Sequence, residues 1–123
     1  IAGTTSAGTR GVVSNEYVRP TYLDVTLPAG QVFEQPVDVA DNTFIFVIDG
    51  ELEIGDRSTA LARRILGILS EGDHVIVKTG QGARFLLVSA LPLKEPVARG
   101  GPFVMNTQQE IMQAFDDYRH NRF

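Results

Sequence analysis

Histidine and acidic side chains carry most of the chemistry open to this sequence, and the histidines are few. The chain has two, His74 and His120, and no cysteine. A transition-metal site needs roughly three imidazole or carboxylate ligands that converge on one point. His120 falls in the last turn of a predicted helix, where a cation near the C-terminal dipole is an ordinary surface feature. The two histidines alone therefore do not predict a metal centre.

Two glycine-containing segments have a spacing that resembles the two sequence motifs of the cupins. The first runs from Gly30 to Gly50, and the second covers residues 70–75. In that family the first motif carries two histidines and a glutamate, and the second motif carries one histidine. The corresponding positions are here occupied by Pro36, Asp38, Thr43 and Val75. The resemblance implies a cupin scaffold with vacated ligand positions, and thus no metal and no cofactor.

His74 precedes the second-motif position by one residue. Successive side chains of a strand point to opposite faces, so we expect His74 to face outward where Val75 faces inward. Asp38 is then the one oxygen donor left at a histidine position of the motifs, and a single carboxylate makes a poor transition-metal site.

Carboxylates and arginines elsewhere offer no better catalytic group. Glu51 and Glu53 share a strand face beside a turn, where solvated charges commonly protect a sheet edge. General acid–base catalysis needs a carboxyl group held in a pocket with a shifted pKa, and the sequence places none there. Arg63, Arg64 and Arg84 could bind an anion, but a solvated surface is the commoner environment of arginine. We therefore predict no catalytic residue.

The composition limits the class of protein. A length of 123 residues predicts one domain. A net charge of −4 and a pI near 5.0 disfavour direct nucleic-acid binding. The longest apolar run, residues 44–48, is far shorter than the ~20 residues that span a bilayer, so no membrane partner is expected. The absence of cysteine excludes disulfides and suits a cytoplasmic protein.

Short alternating segments dominate the predicted secondary structure. Strands are predicted at residues 22–27, 32–35, 43–48, 51–54, 74–78 and 83–89. Asp49-Gly50 is a strong signal for a hairpin turn. Many short strands separated by glycine-containing turns indicate a sandwich or a barrel. Thr107 and Glu110 have the spacing of a capping box, which predicts a helix over residues 107–120.

The alternation within residues 43–48 predicts an inside and an outside for this barrel. If Thr43 points inward, Ile45 and Val47 do so too, while Phe44 and Phe46 point outward. Small barrels fill their interiors with side chains, which favours a packed core. A small apolar pocket remains the alternative.

Several further segments resemble the C-terminal half of a pirin, and the likeness covers nearly the whole chain. They are Tyr22-Leu23-Asp24-Val25, Gly82-Ala83-Arg84, Pro102-Phe103-Val104-Met105-Asn106-Thr107 and the terminal helix. The resemblance implies an all-β, cupin-type double-stranded β-helix (a jelly-roll barrel) with one C-terminal α-helix. We expect a single cupin domain over residues 1–123. Its parts would be an N-terminal arm (1–14), a β-barrel (20–92), a loop that wraps over the body (93–106) and the helix (107–120).

The resemblance also carries a functional expectation. Pirins are bicupins whose iron site belongs to the N-terminal half, and complete pirins include quercetin-oxidising dioxygenases and regulators of transcription. The resemblance implies that this chain is a metal-free, non-catalytic structural and interaction module. Its expected partner is an iron-binding cupin half or a second copy, as a homodimer. The chain starts at Ile1, which favours a fragment of a longer bicupin over a free-standing protein.

Two questions stay open at the level of sequence. Phe44, Phe46, Phe103 and Met105 are candidate interface residues, although they could equally build the core. The chain could also be a small-molecule-binding or metal-independent cupin enzyme, in which His74 would work with Tyr17 or Tyr22. As a third possibility, it could be part of a quercetinase-type dioxygenase whose iron site lies in a missing N-terminal half.

Overall fold

Nine β-strands and one α-helix make up the computed structural model, which describes residues 1–123. They belong to two compact units, Ile1–Pro92 and Leu93–Phe123. The strands of the first unit are β1 (Thr21–Leu27), β2 (Val32–Pro36), β3 (Asn42–Ile54), β4 (Thr59–Ala62), β5 (Leu66–Ile68), β6 (His74–Lys78) and β7 (Ala83–Ala90). The second unit contains β8 (Ala98–Gly100), β9 (Phe103–Met105) and α1 (Gln108–Arg119).

The long strand β3 organises the first unit. The sheet order is β1-β7-β3-β6-β2, and β4 and β5 also pair with β3. The first part of β3 pairs with β7 and β5, and its last residues pair with β4 and β6. All of these pairings are antiparallel. Because β3 pairs with different strands along its length, it connects the two sides of a curled sheet.

The core of this unit comes from alternate residues of the paired strands. Thr43, Ile45 and Val47 are buried, as the alternation predicted. The buried cluster consists of Leu23, Leu27, Ile45, Val47, Leu52, Val75, Val77, Ala83, Phe85 and Leu87. Fully burying a side chain such as valine, leucine or phenylalanine contributes about 1.5–3 kcal/mol. The interior is thus the packed core that the pattern favoured.

The hairpin predicted at Asp49-Gly50 is wrong, because β3 continues through these residues. The register with β7 shifts between Val47 and Asp49, and Gly50 has a φ of +80°. A β-bulge bends a strand, and here the bend carries β3 from β7 towards β4. A Cβ atom at Gly50 would lie 2.3 Å from the carbonyl oxygen of Gly82, so the bend also needs a glycine. Asp-Gly favours a bulge with positive φ for the same reason that it favours a turn.

The N-terminal arm is held against the strands at defined points. Ala2 forms isolated bridges to Val13 and Tyr22 and is itself buried. The buried side chain of Gln35 donates to the carbonyl of Thr4 and accepts from the amide of Ser6, both at 3.0 Å. The predicted arm therefore follows a fixed path.

The second unit is a β-hairpin with a helix packed on it. The Thr107 side chain accepts from the Glu110 amide, and the Glu110 carboxylate accepts from the Thr107 amide, so the predicted capping box is present. The hairpin β8–β9 lies inside the segment predicted as a loop, since two strands of three residues are too short to show alternation. No helix of the structure combines the length and apolar character needed to cross a bilayer.

Candidate functional site

A cavity of about 430 Å³ opens among β3, β4, β6 and the loops between the strands of the first unit. Its apolar wall includes Val37, Leu61, Leu69 and Val75, and Thr43 lies beside them. Charged residues at its edge are Asp41, Asp56, Arg57 and Glu71. Ligand pockets typically have volumes of ~300–1,000 Å³ with mostly apolar walls and a few polar groups. The barrel thus has a packed core and, beside it, the small pocket that the sequence left as an alternative.

The predicted motif positions divide into two groups. Thr43 and Val75 are buried and line the cavity. Pro36 and Asp38 are exposed and lie outside it. In the register of β2 with β6, Gln35 is opposite Val75 and Pro36 is opposite His74. Gln35, the neighbour of the motif position Pro36, is therefore the inward-facing residue at this point of β2.

A hydrogen-bonded chain of polar side chains borders the cavity. The Oγ of Ser89 donates to Oδ2 of Asp41 at 2.9 Å, and it lies 2.9 Å from Oγ1 of Thr43. Ser89 has one hydroxyl proton, which goes to Asp41, so Thr43 must donate to Ser89. Ser89 is fully buried, and this fixes the Asp41 carboxylate from inside the sheet.

The sequence analysis did not identify Ser89 or Asp41. A signal was available, because Ser89 occupies an inward position of an otherwise apolar alternating strand. Its partner across the sheet is Thr43, the other inward-facing hydroxyl. Two hydroxyl groups at inward positions of neighbouring strands indicate a buried polar pair that needs a further hydrogen-bond partner.

His74 is exposed, as its strand position predicted, but it also borders the cavity opening. Its Nδ1 lies 3.0 Å from Oδ1 of Asp73 and its Nε2 lies 3.7 Å from Oε1 of Glu34. The hydrogen bond to Asp73 raises the pKa of His74 above its ordinary value, and the nearby carboxylate charges act in the same direction. No tyrosine is among its partners, so the His–Tyr pair of a metal-independent enzyme is not formed. His120 caps α1, with its Nδ1 2.8 Å from the carbonyl oxygen of Asp116.

The side chains at the cavity do not fit a transition-metal centre. No three His, Cys, Asp or Glu side chains lie close enough together to hold an ion. At the two motif positions that line the cavity, a hydroxyl group and an isopropyl group stand in place of the expected ligands.

Two of the three arginines considered as anion ligands, Arg63 and Arg84, form surface ion pairs. Arg84 donates to both carboxylate oxygens of Asp24, at 3.0 and 2.7 Å, across the pair β1–β7. These hydrogen bonds lower the pKa of Asp24 and raise that of Arg84. Arg63 lies 3.5 Å from Asp49.

The outward side of β3 carries a contiguous apolar surface. Phe44 is opposite Ile68 on β5 and Val88 on β7, and Phe46 is opposite Leu66 and Leu86 in the same way. Directly paired residues share a sheet face. We call this surface the outer apolar face; its residues are Tyr22, Phe44, Phe46, Leu66, Ile68, Leu86 and Val88. Asp24, which is opposite Leu86 and ion-paired with Arg84, bounds this face on β1. Ile68 is 82% exposed and Leu66 is 52% exposed. The sequence analysis had assigned neither of these residues to a face.

The other two candidate interface residues lie in the second unit. The Phe103 ring packs against Phe115 and stacks on Phe123, with centroid distances of 5.2 and 5.6 Å. Phe103 and Met105 are both half-buried. The Phe103 side chain is therefore engaged in packing within its own unit.

Comparison with known proteins places this chain in a family. Residues 22–123 match the family model described as the pirin C-terminal cupin domain. The chain belongs to the pirin family. It is 43% identical to a pirin-like protein of Caulobacter vibrioides over 100% of this chain and 44% of that protein. It is 40% identical to human pirin over 89% of this chain and 40% of that protein.

Solved structures confirm the cupin barrel with one C-terminal helix. A crystal structure of quercetin 2,3-dioxygenase from Acinetobacter baumannii superposes with a TM-score of 0.87 at 30% identity. The superposition covers 99% of this chain and 42% of that one. The pirin-type chain described here thus spans less than half the length of these relatives, and the matched segment is their C-terminal half.

Proposed function

We propose that this chain is a structural and interaction module, metal-free and non-catalytic in itself, that packs on a second cupin domain. That domain would be the iron-binding half of a longer pirin or, in its absence, a second copy of this chain. The outer apolar face is the observation that carries the proposal. The other cupin domain would cover this face in the assembled protein.

The composition and exposure of the outer apolar face support this role. Contiguous apolar patches of this kind on a soluble domain mark interaction sites. Ile68 and Leu66 are the most exposed of the seven side chains, and Phe44 is 36% exposed. Removing such surface from water contributes about 25 cal/mol per Å² of apolar area, which offsets part of the entropic cost of association. The residues lie in register on neighbouring strands, so a second sheet could pack against them face to face.

The interior of the barrel supports a non-catalytic role. Thr43 and Val75 stand at two of the positions where a metal-binding cupin has its ligands. His74, which could serve a metal-independent enzyme, pairs with Asp73 and Glu34 at the cavity opening and with no tyrosine. Dioxygenase activity, which the name of the Acinetobacter baumannii protein attributes to that protein, would then depend on the other half of such a chain.

The remaining expectations belong to the same proposal. A partner domain of the cupin type suits a chain that spans 44% of its Caulobacter vibrioides relative. A cytoplasmic location suits a cysteine-free sequence. The net charge of −4 disfavours a nucleic-acid partner.

Titration against an iron-loaded N-terminal half of the Caulobacter vibrioides relative tests the proposal. We expect 1:1 binding by the wild-type chain in calorimetry, and at least tenfold weaker binding by Ile68→Lys, since a buried ammonium group would replace an apolar contact. Val12→Lys is the matched control, because Val12 is 96% exposed and lies outside the outer apolar face. Absence of binding, or equal losses in both variants, would refute the proposed function.

A further inference from the structure

We propose that the cavity among β3, β4 and β6 binds a small apolar organic cation, an alkyl- or arylammonium compound. Asp41 would accept hydrogen bonds from the ammonium group, and Val37, Leu69 and Val75 would contact the apolar body. This site shares Ile68 with the outer apolar face, but Asp41, Val37, Leu69 and Val75 lie outside that face.

The first argument is the shape and lining of the cavity. Its volume of about 430 Å³ suits a single small molecule. Val37, Leu61 and Leu69 pack against the buried core on one side and line the cavity on the other. Such a wall removes apolar ligand surface from water without any rearrangement of the core.

The second argument is the placement of Asp41. Its Oδ2 accepts from the fully buried Ser89, while its Oδ1 has no hydrogen-bond donor from the protein. The backbone amide of Asp41 is also fixed, by a hydrogen bond to the carbonyl of Asp38 at 3.0 Å. A carboxylate that is held in place beside an apolar wall and keeps a free acceptor oxygen suits a charged donor, since charge-assisted hydrogen bonds are the stronger ones.

The third argument is the charge around the opening. Asp41, Asp56 and Glu71 contribute three carboxylates, against one guanidinium from Arg57. His74 borders the same opening, but its ring is taken up by Asp73 and Glu34. The opening therefore favours a cation over a neutral ligand and disfavours an anion.

The test uses three probes of similar size: phenethylamine, phenethyl alcohol and 3-phenylpropionate. Methyl NMR spectra at neutral pH would follow the signals of Val37, Leu69 and Val75. We expect phenethylamine to shift these signals and to bind at least tenfold more tightly than the alcohol, and we expect no binding of the carboxylate. Equal affinities for the three probes, or shifts confined to other residues, would overturn the assignment.

Two variants sharpen the test. Asp41→Asn keeps an acceptor for Ser89 and should reduce the amine affinity to that of the alcohol, while Asp49→Asn, outside the cavity, should leave it unchanged. Val37→Phe narrows the cavity and should weaken both probes. An Asp41→Asn protein with an unchanged native spectrum and undiminished amine binding would contradict the proposal. None of the substituted residues belongs to the outer apolar face. A failure of the ligand proposal would therefore leave the interaction role to be tested separately.

Discussion

At the scale of residues, three hydrogen-bonded side chains form a polar group in the interior of the first unit. Ser89 is fully buried and connects Asp41 to Thr43. Each of these groups lost water on folding, and the hydrogen-bonded chain offsets that cost. The buried hydroxyl thus positions the carboxylate at the cavity and stabilises the pairing of β3 with β7.

Replacing Ser89 by alanine should therefore destabilise the protein. Ser89→Ala leaves Thr43 and Asp41 without their shared partner and should lower the free energy of unfolding by about 1–3 kcal/mol. Urea denaturation measures this change. Ser14→Ala, at an exposed position, is the control and should change stability by less than about 0.5 kcal/mol. Equal stabilities of the two variants would argue against the hydrogen-bonded chain.

The titration of His74 provides a second test at the scale of residues. Asp73 raises the pKa of His74 above the ordinary value of 6.5. The associated stability is fully present below pH 6.5 and is lost as the pH rises through the folded-state pKa. In Asp73→Asn the pKa should fall, which an NMR titration of the imidazole Cε1–H signal measures. Asp49→Asn should leave it unaltered, and an unaltered pKa in Asp73→Asn would rule out this hydrogen bond.

Whether a side chain is buried or exposed was predictable where it depends on local alternation along a strand. The burial of Thr43 and Val75 and the exposure of His74 follow from the twofold period of a strand. The inward direction of Gln35 could not be predicted, because it depends on the register of β2 with β6 and on contacts with Thr4 and Ser6. Pro36 and Asp38 lie outside the cavity, at and after the end of β2.

At the scale of elements, the bulge in β3 is the least expected feature and the one on which the barrel depends. It allows one strand to pair with β7 along its first part and with β4 beyond the bend. The glycine at position 50 is required both for its φ of +80° and for its contact with Gly82.

Substitution of Gly50 should be costly. Gly50→Ala combines a left-handed conformation, which costs an L-residue roughly 1–2 kcal/mol, with a contact of 2.3 Å that forces the backbone to move. We expect a loss of at least about 2 kcal/mol in the free energy of unfolding, measured by urea denaturation. Gly80→Ala is the matched control, since a Cβ atom there would meet nothing within 4 Å. A Gly50→Ala protein as stable as that control would show that β3 does not need this bend.

Most elements were predictable because their signals are local. The strands at residues 22–27 and 74–78 and the capped helix agree with the structure to within a residue or two. The bulge was predicted as a hairpin because both need a residue with positive φ. Only the pairing of β3 with β7 on both sides of the bulge distinguishes them.

At the scale of the whole molecule, the two sides of β3 have different surroundings. The inner side contributes Ile45 and Val47 to the core and Thr43 to the cavity. The outer side carries Phe44 and Phe46 and extends over β5 and β7 to form the outer apolar face. The outward direction of these phenylalanines was predictable, but the face was not, because the register of β5 with β3 adds Leu66 and Ile68.

The solution mass of the chain alone tests the central claim most directly. Without its partner domain, the outer apolar face should pair with a second copy. Sedimentation velocity should then show a mass that rises with concentration from 13.4 kDa towards twice that value. Ile68→Lys should remain at the mass of one chain, and Val12→Lys should behave as the wild type does. A wild-type mass of 13.4 kDa across the whole concentration range would contradict the account.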